Sequence, residues 1–225
     1  MSAVTRRSKR PIPPPQGRPG RPSSPPKRRR FSPRFLIVSG AVVVAALIVV
    51  VGLLLAKDGL PGLQIGSPPW PAETTQLRAR LTAIGLPALA AEGHVQHTHQ
   101  HLDLYVDGRQ VTIPADIGIN RTVGFISPIH THDATGIIHV ESPVVRTFTL
   151  GELFDVWGVR FDGHCVGGAC DGGGRALSVF LDGQPYAGDP RSLVLAAHEE
   201  IVVAIGTPAQ LPNPIPATYA FPGGL

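Results

Sequence analysis

Carboxylates are absent from the first 34 positions of this 225-residue chain, charge of either sign is absent from the next 22, and the whole contains two cysteines and one methionine. Each absence excludes something. The single methionine is Met1, so thioether-rich Cu(I) sites and a blue-copper centre with an axial methionine are set aside. No G-x-S-x-G elbow, Walker A loop or H-E-x-x-H helix is present, which removes the commonest motif-marked hydrolases, nucleotidases and metalloproteases.

The charge gap divides the chain. Residues 1–34 hold eleven Lys and Arg without an acid, whereas residues 57–225 hold nine Lys and Arg against sixteen carboxylates, a net −7. The overall +4 therefore describes neither part, and no nucleic-acid partner is expected from it. Between the two lies Phe35 to Ala56, an uncharged run of 22 residues. As a helix it would be about 33 Å long, enough for a hydrocarbon core of about 30 Å. It reads as a single transmembrane helix, with the lipid bilayer as its partner. Lys27 to Arg30 and Arg34 make the N-terminal flank the more basic one, which puts the N-terminus in the cytoplasm and the C-terminal domain outside the cell membrane. A cleaved secretory signal is the rival, although the run exceeds the roughly 7–15 residues of an ordinary apolar signal core.

Five segments follow. Residues 1–34 are a basic, Pro-rich cytoplasmic tail expected to be disordered, a solubilising stretch or a docking site for a polyproline-binding module. Residues 35–56 are the anchor, 57–72 a Gly- and Pro-rich linker, 73–206 the folded extracytoplasmic domain, and 207–225 a Pro-rich irregular tail. Within the domain, Leu77, Leu81 and Ile84 repeat at helical spacing after Thr74 or Thr75 as cap, and Gly85 ends that helix. A second helix is expected over 147–157, with Thr149 and Glu152 as a capping box. Two-residue alternation marks strands over 95–106 and 136–141, with Asp107-Gly108 as a hairpin turn; further strands are expected at 111–113, 123–126, 176–181, 193–195 and 201–205, with a turn at Asp182-Gly183. The expected class is α+β, mostly β: a small antiparallel or mixed sheet with one or two short helices, preceded by the membrane span.

Histidine is what the chain has in concentration. Positions 94, 97, 99, 101, 130, 132 and 139 hold seven of its nine histidines within 46 residues. On a strand, side chains at i and i+2 share a face about 6.6–6.8 Å apart, close enough for two imidazoles to converge on one ion. His99 and His101 are the preferred pair from the first run, His130 and His132 form the second, and His139 joins them. His97, Asp103, Asp133 and Glu141 are candidate further ligands, or acceptors that orient ligating rings. Singly, each histidine is better read as a solvated or hydrogen-bonded residue; two H-x-H pairs with neighbouring acids point to a metal. Imidazole with carboxylate suits Zn(II), Cu(II), Fe(II) or Mn(II), and zinc ranks first, copper second. Since a ligating imidazole must be unprotonated, affinity is expected to fall as pH drops through about 6.5.

Cys165 and Cys170 lie outside the membrane on this topology and are expected to form a disulfide. A thiolate site with His164 is the alternative, but the spacing is not the usual one and no second pair exists. Asp162, Asp171 and glycines 172–174 lack the alternating acids of an EF-hand. His130-Thr131-His132-Asp133 approaches the H-x-H-x-D-H pattern of metallo-β-lactamase-like hydrolases but departs from it, since Asp133 directly follows His132 and no Asp-His follows. Amidohydrolases also use H-x-H, on a barrel larger than this domain.

The string His130-Thr131-His132-Asp133, Gly136 to Pro143, Phe148 to Phe154 and Trp157-Gly158 resembles an uncharacterised family of bacterial and archaeal membrane-anchored extracytoplasmic proteins. The resemblance covers roughly 97–206. It implies the domain boundaries and no catalytic residue. Three function classes remain: an extracytoplasmic zinc- or copper-binding domain for handling, sensing or structural support; a metal-dependent enzyme with an open coordination position and Asp133 or Glu141 as base; and a metal-independent envelope interaction module.

Overall fold

The longest strand, β1 (Gln96–Val106), runs through the middle of the fold, and its alternation sets the two faces of the sheet. Leu102, Leu104 and Val106 enter the core, while His99, His101, Asp103 and Tyr105 point the other way. Burying each such leucine contributes about 1.5–3 kcal/mol, so a one-residue slip in register would be strongly opposed. The computed structural model describes residues 59–225. The basic tail and the expected membrane span at 35–56 lie outside the described residues; within them, no helix is long and apolar enough to cross a membrane.

Asp107 and Gly108 turn the chain with φ of 51° and 79° into β2 (Arg109–Val111), which pairs back on the end of β1. A small hairpin of β3 (Ile119–Asn120) and β4 (Phe125–Ile126) leads into β5 (Ile129–His130) and β6 (Ile137–Ser142). β7 (Cys165–Val166) and β8 (Ala169–Cys170) form a second two-stranded unit, closed by the Cys165–Cys170 disulfide. β9 (Ala176–Leu181), β10 (Gln184–Pro185) and β11 (Glu200–Gly206) complete the set. The main sheet has the order β10-β9-β11-β1-β6-β5, with β2 beside β1. All its pairs are antiparallel except β1 with β11, which run parallel. The domain is thus a mostly-β α+β fold with a mixed sheet and two α-helices.

Those helices are α1 (Leu77–Ile84) and α2 (Leu150–Trp157). At α2 the expected capping box forms: Thr149 accepts from the Glu152 amide at 3.3 Å, and Glu152 accepts from the Thr149 amide at 3.0 Å. Gly158, at φ 77°, ends the helix in the left-handed conformation. At α1 neither threonine caps. The amide of Gln76 donates instead to the Glu73 carboxylate at 3.1 Å, a carboxylate that also pairs with the fully buried Arg80.

The returning strand runs over Arg109–Val111 and not 111–113, and three further segments differ from the sequence reading. Residues 193–195 form no strand: Leu150 donates to the Leu193 carbonyl and Leu195 to that of Phe148, a contact too short to become a ladder. Residues 60–72, a spacer by composition, pack onto the domain, because Trp70 is buried edge-on to Trp157 and Gln64 forms a bridge with Val159. The Pro-rich segment after 207 also lies on the sheet, with Tyr219 stacked 3.7 Å from His101 and Phe221 against His198.

Candidate metal centre

The β1–β6–β5 register puts three histidines in one row. His139 on β6 lies opposite His99 on β1 and opposite His130 on β5. One pleat along, Glu141 on β6 lies opposite His97 on β1. His132, just past β5, folds back over the row with its ring centroid 4.5 Å from that of His139. A period of two on three adjacent strands is the whole reason these side chains share a face. Ile138, Val140 and Ile129, the alternating partners, are in the core.

The donor atoms form two overlapping groups, His97, His99, His139 and Glu141 in one and His130, His132, His139 and Glu141 in the other, with the atoms in each within 4.8 Å of one another. Nε2 of His97 is 3.1 Å from Nε2 of His99, and the same distance separates His130 from His132. Two nitrogens on one tetrahedral ion with bonds of about 2.0–2.1 Å stand about 3.3–3.4 Å apart. The rings stand at hydrogen-bond distance, a few tenths of an ångström closer than co-ligands, so a small opening of each pair would admit an ion.

His130 is fixed in the ligand tautomer. Its Nδ1–H donates to the Ser127 carbonyl at 3.0 Å, which leaves a lone pair on Nε2 facing His132 and Glu141. Burial, reinforced by the charges of His132 and His139, pushes the His130 pKa down to about 3. Burial, with His132 and His99 beside it, takes His139 to about 4. His99 is lowered by burial and then by His97. The buried rings of the row are consequently held neutral, the form that binds metal.

Glu141 is the only carboxylate in either group, 5% exposed. Burial first, and the charge of Glu92 second, raise its pKa. Its Oε1 is 3.1 Å from His97 Nε2 and 3.4 Å from His139 Nδ1, whereas its Oε2 is buried without a hydrogen-bond partner. An anion so poorly supplied with donors is costly in the ion-free protein, and a bound cation removes that cost.

His101 stands apart from His99, the partner that i, i+2 spacing favours. It groups with Asp103 and Glu200 in a third set of donor atoms within 4.8 Å of one another, a set that could itself hold an ion. Its Nδ1 is 2.7 Å from Glu200 Oε2 and its Nε2 2.9 Å from the Thr135 carbonyl. Both nitrogens face acceptors, so the ring is best satisfied as an imidazolium. Burial alone would lower its pKa, but the Glu200 hydrogen bond and charge raise it. Asp103 accepts from Gln110 at 2.7 Å, and Asp133 is taken up by the amide and hydroxyl of Thr135, forming its own turn. His97, a secondary candidate by sequence, belongs to the group instead.

Two further carboxylates escaped the sequence reading. Glu92 reaches within 3.4 Å of His132 Nε2 from the segment before β1, and Glu200 faces His101 from β11. Neither sits in a motif; Glu200 becomes a neighbour only through the parallel pairing. A groove at the far end of β1, lined by Pro69, Asp107, Arg109 and Arg175 among others, contains none of the histidines. Comparisons with protein-family models, with curated proteins and with solved structures return no match.

Proposed function

We propose that the folded part is an extracytoplasmic domain that binds a divalent transition metal, zinc in first place and copper in second, for handling, sensing or structural support at the cell membrane. The reading is carried by the row His99, His139 and His130 across three strands, with His97, His132 and Glu141 around it. Imidazole nitrogen with one carboxylate, and no thiolate in the group, is a donor set that zinc and copper(II) accept. The uncharged run 35–56 with its basic N-terminal flank supports a membrane anchor and an N-terminus on the cytoplasmic side. One observation favours a metal-dependent enzyme as second reading: the side chains of His97 and His132 are 52% and 37% exposed, so an ion there would be reachable from solvent.

The test is metal content. Purified full-length chain, loaded with zinc and exchanged into metal-free buffer, should retain stoichiometric metal by elemental analysis. The double variant His130→Ala/His132→Ala should retain less. Wild-type chain that is folded yet metal-free after loading would refute the reading.

A further inference from the structure

We propose that the histidine face holds two ions, bridged by the Glu141 carboxylate: one held by His97, His99 and Oε1, the other by His130, His132 and Oε2. This rests on the metal-binding reading above and goes beyond it in number and in the role of one residue.

The donor count is the first reason. Five imidazoles and Glu141 face this surface, and a tetrahedral site uses four ligands. Distance is the second. Ligands on one ion at about 2.0–2.1 Å stand at most about 4.2 Å apart. Even at the looser limit of 4.8 Å between donor atoms the residues fall into two groups, and neither contains both the His97/His99 and the His130/His132 pair. Each pair is internally close, its two Nε2 atoms at a hydrogen-bond distance of 3.1 Å, a few tenths of an ångström short of co-ligand spacing.

The carboxylate supplies the third reason, because its oxygens divide between the pairs. Oε1 is 3.1 Å from His97 Nε2, and Oε2 is 3.7 Å from His130 Nε2. Oε2 has no hydrogen-bond partner although Glu141 is only 5% exposed. A carboxylate serving one ion through Oε1 alone would leave that buried oxygen unsatisfied; a second ion satisfies it. His139, on the middle strand, belongs to both groups and can complete either coordination sphere. Each ion then has at least two nitrogens and one oxygen from the protein, and positions remain for water or a small anion. Paired ions of this kind sit about 3.5–4 Å apart, the arrangement that clamps an oxygen-rich group between two Lewis acids.

The experiment is a Cu(II) and Zn(II) titration of the full-length chain, with elemental analysis of the zinc form and electron paramagnetic resonance of the copper form. Two equivalents are expected per chain, with spin coupling between the two coppers. Glu141→Gln should weaken the second equivalent at least tenfold and abolish the coupling. His97→Ala/His99→Ala and His130→Ala/His132→Ala should each retain one equivalent, which guards against misfolding of any single variant. One equivalent in the wild type, two uncoupled ones, or two tight coupled ones in Glu141→Gln would overturn the bridged pair while leaving metal binding intact. Zero equivalents would overturn both readings.

Discussion

His101 and Glu200 face each other across the parallel β1–β11 pair, Nδ1 2.7 Å from Oε2, with side chains 6% and 1% exposed. Two residues upstream on the same strand, His99 belongs to the metal group. One H-x-H motif thus serves two donor groups, His101 with Asp103 and Glu200, and His99 with His97, His139 and Glu141.

Removing Glu200 leaves the buried Nδ1 of His101 without its partner, at a cost of about 1–3 kcal/mol. Glu200→Ala should therefore lower the unfolding free energy of the chelated chain by about that amount in a urea titration. Metal stoichiometry should not change. Loss of metal from a folded Glu200→Ala chain would show that the group of His101, Asp103 and Glu200 holds an ion.

His139→Ala removes the one imidazole common to both donor groups. Affinity should fall by more than the ten- to hundredfold typical of losing an outer hydrogen-bond partner, read by competition with a chromophoric zinc chelator. Asp133→Asn, whose carboxylate is engaged by Thr135, should leave affinity unchanged.

The strands that carry these histidines were legible because period-two alternation is local: 95–106 and 136–141 as read match β1 and β6 to within a residue or so. The capping box of Thr149 and Glu152 was legible for the same reason. Which histidine meets which was not. His97 and His101 are equivalent by spacing, and only the neighbours decide: Glu141 across the β1–β6 ladder, Glu200 across β1–β11. The parallel pairing joins residues about a hundred positions apart and leaves no local trace. Trp70 and Tyr219 were hidden in another way, because Gly- and Pro-rich composition reads as linker even where a single aromatic anchors the segment.

Gly136 begins the return to β6 at φ 89°, and a Cβ there would lie 2.7 Å from the Leu102 carbonyl oxygen and 2.8 Å from His101 Nε2. Conformation and space both demand glycine. Gly136→Ala should cost about 2–4 kcal/mol, combining left-handed strain with overpacking. The check is thermal unfolding of the chelated chain, and an unchanged midpoint would contradict the geometry.

Replacing both cysteines by serine should cost about 2 kcal/mol, the chain-entropy value for so short a ring. Cys165 and Cys170 are bonded to each other and belong to neither donor group, so zinc content should be unaffected. Urea unfolding alongside elemental analysis separates the two effects. A drop in metal would bring the thiolate alternative back.

Chelated chain should lose stability as pH falls, and the sign follows from the buried row. His130 and His139 have folded pKa values depressed to about 3 and about 4, against an unfolded value of about 6.5. Between those limits the unfolded chain binds protons that the folded chain refuses, so stability is full above about pH 6.5 and declines below it. The slope is roughly 1.4 kcal/mol per pH unit for each such histidine. His101 acts oppositely: its raised pKa contributes stability that is present below about 6.5 and is lost as pH rises through the folded value. His139→Phe removes one of the three rings held below the usual value, His99 being the third, and should flatten the acid limb between pH 6 and 4, measured by urea midpoints at each pH. A variant with the wild-type slope would mean that the row does not control acid stability.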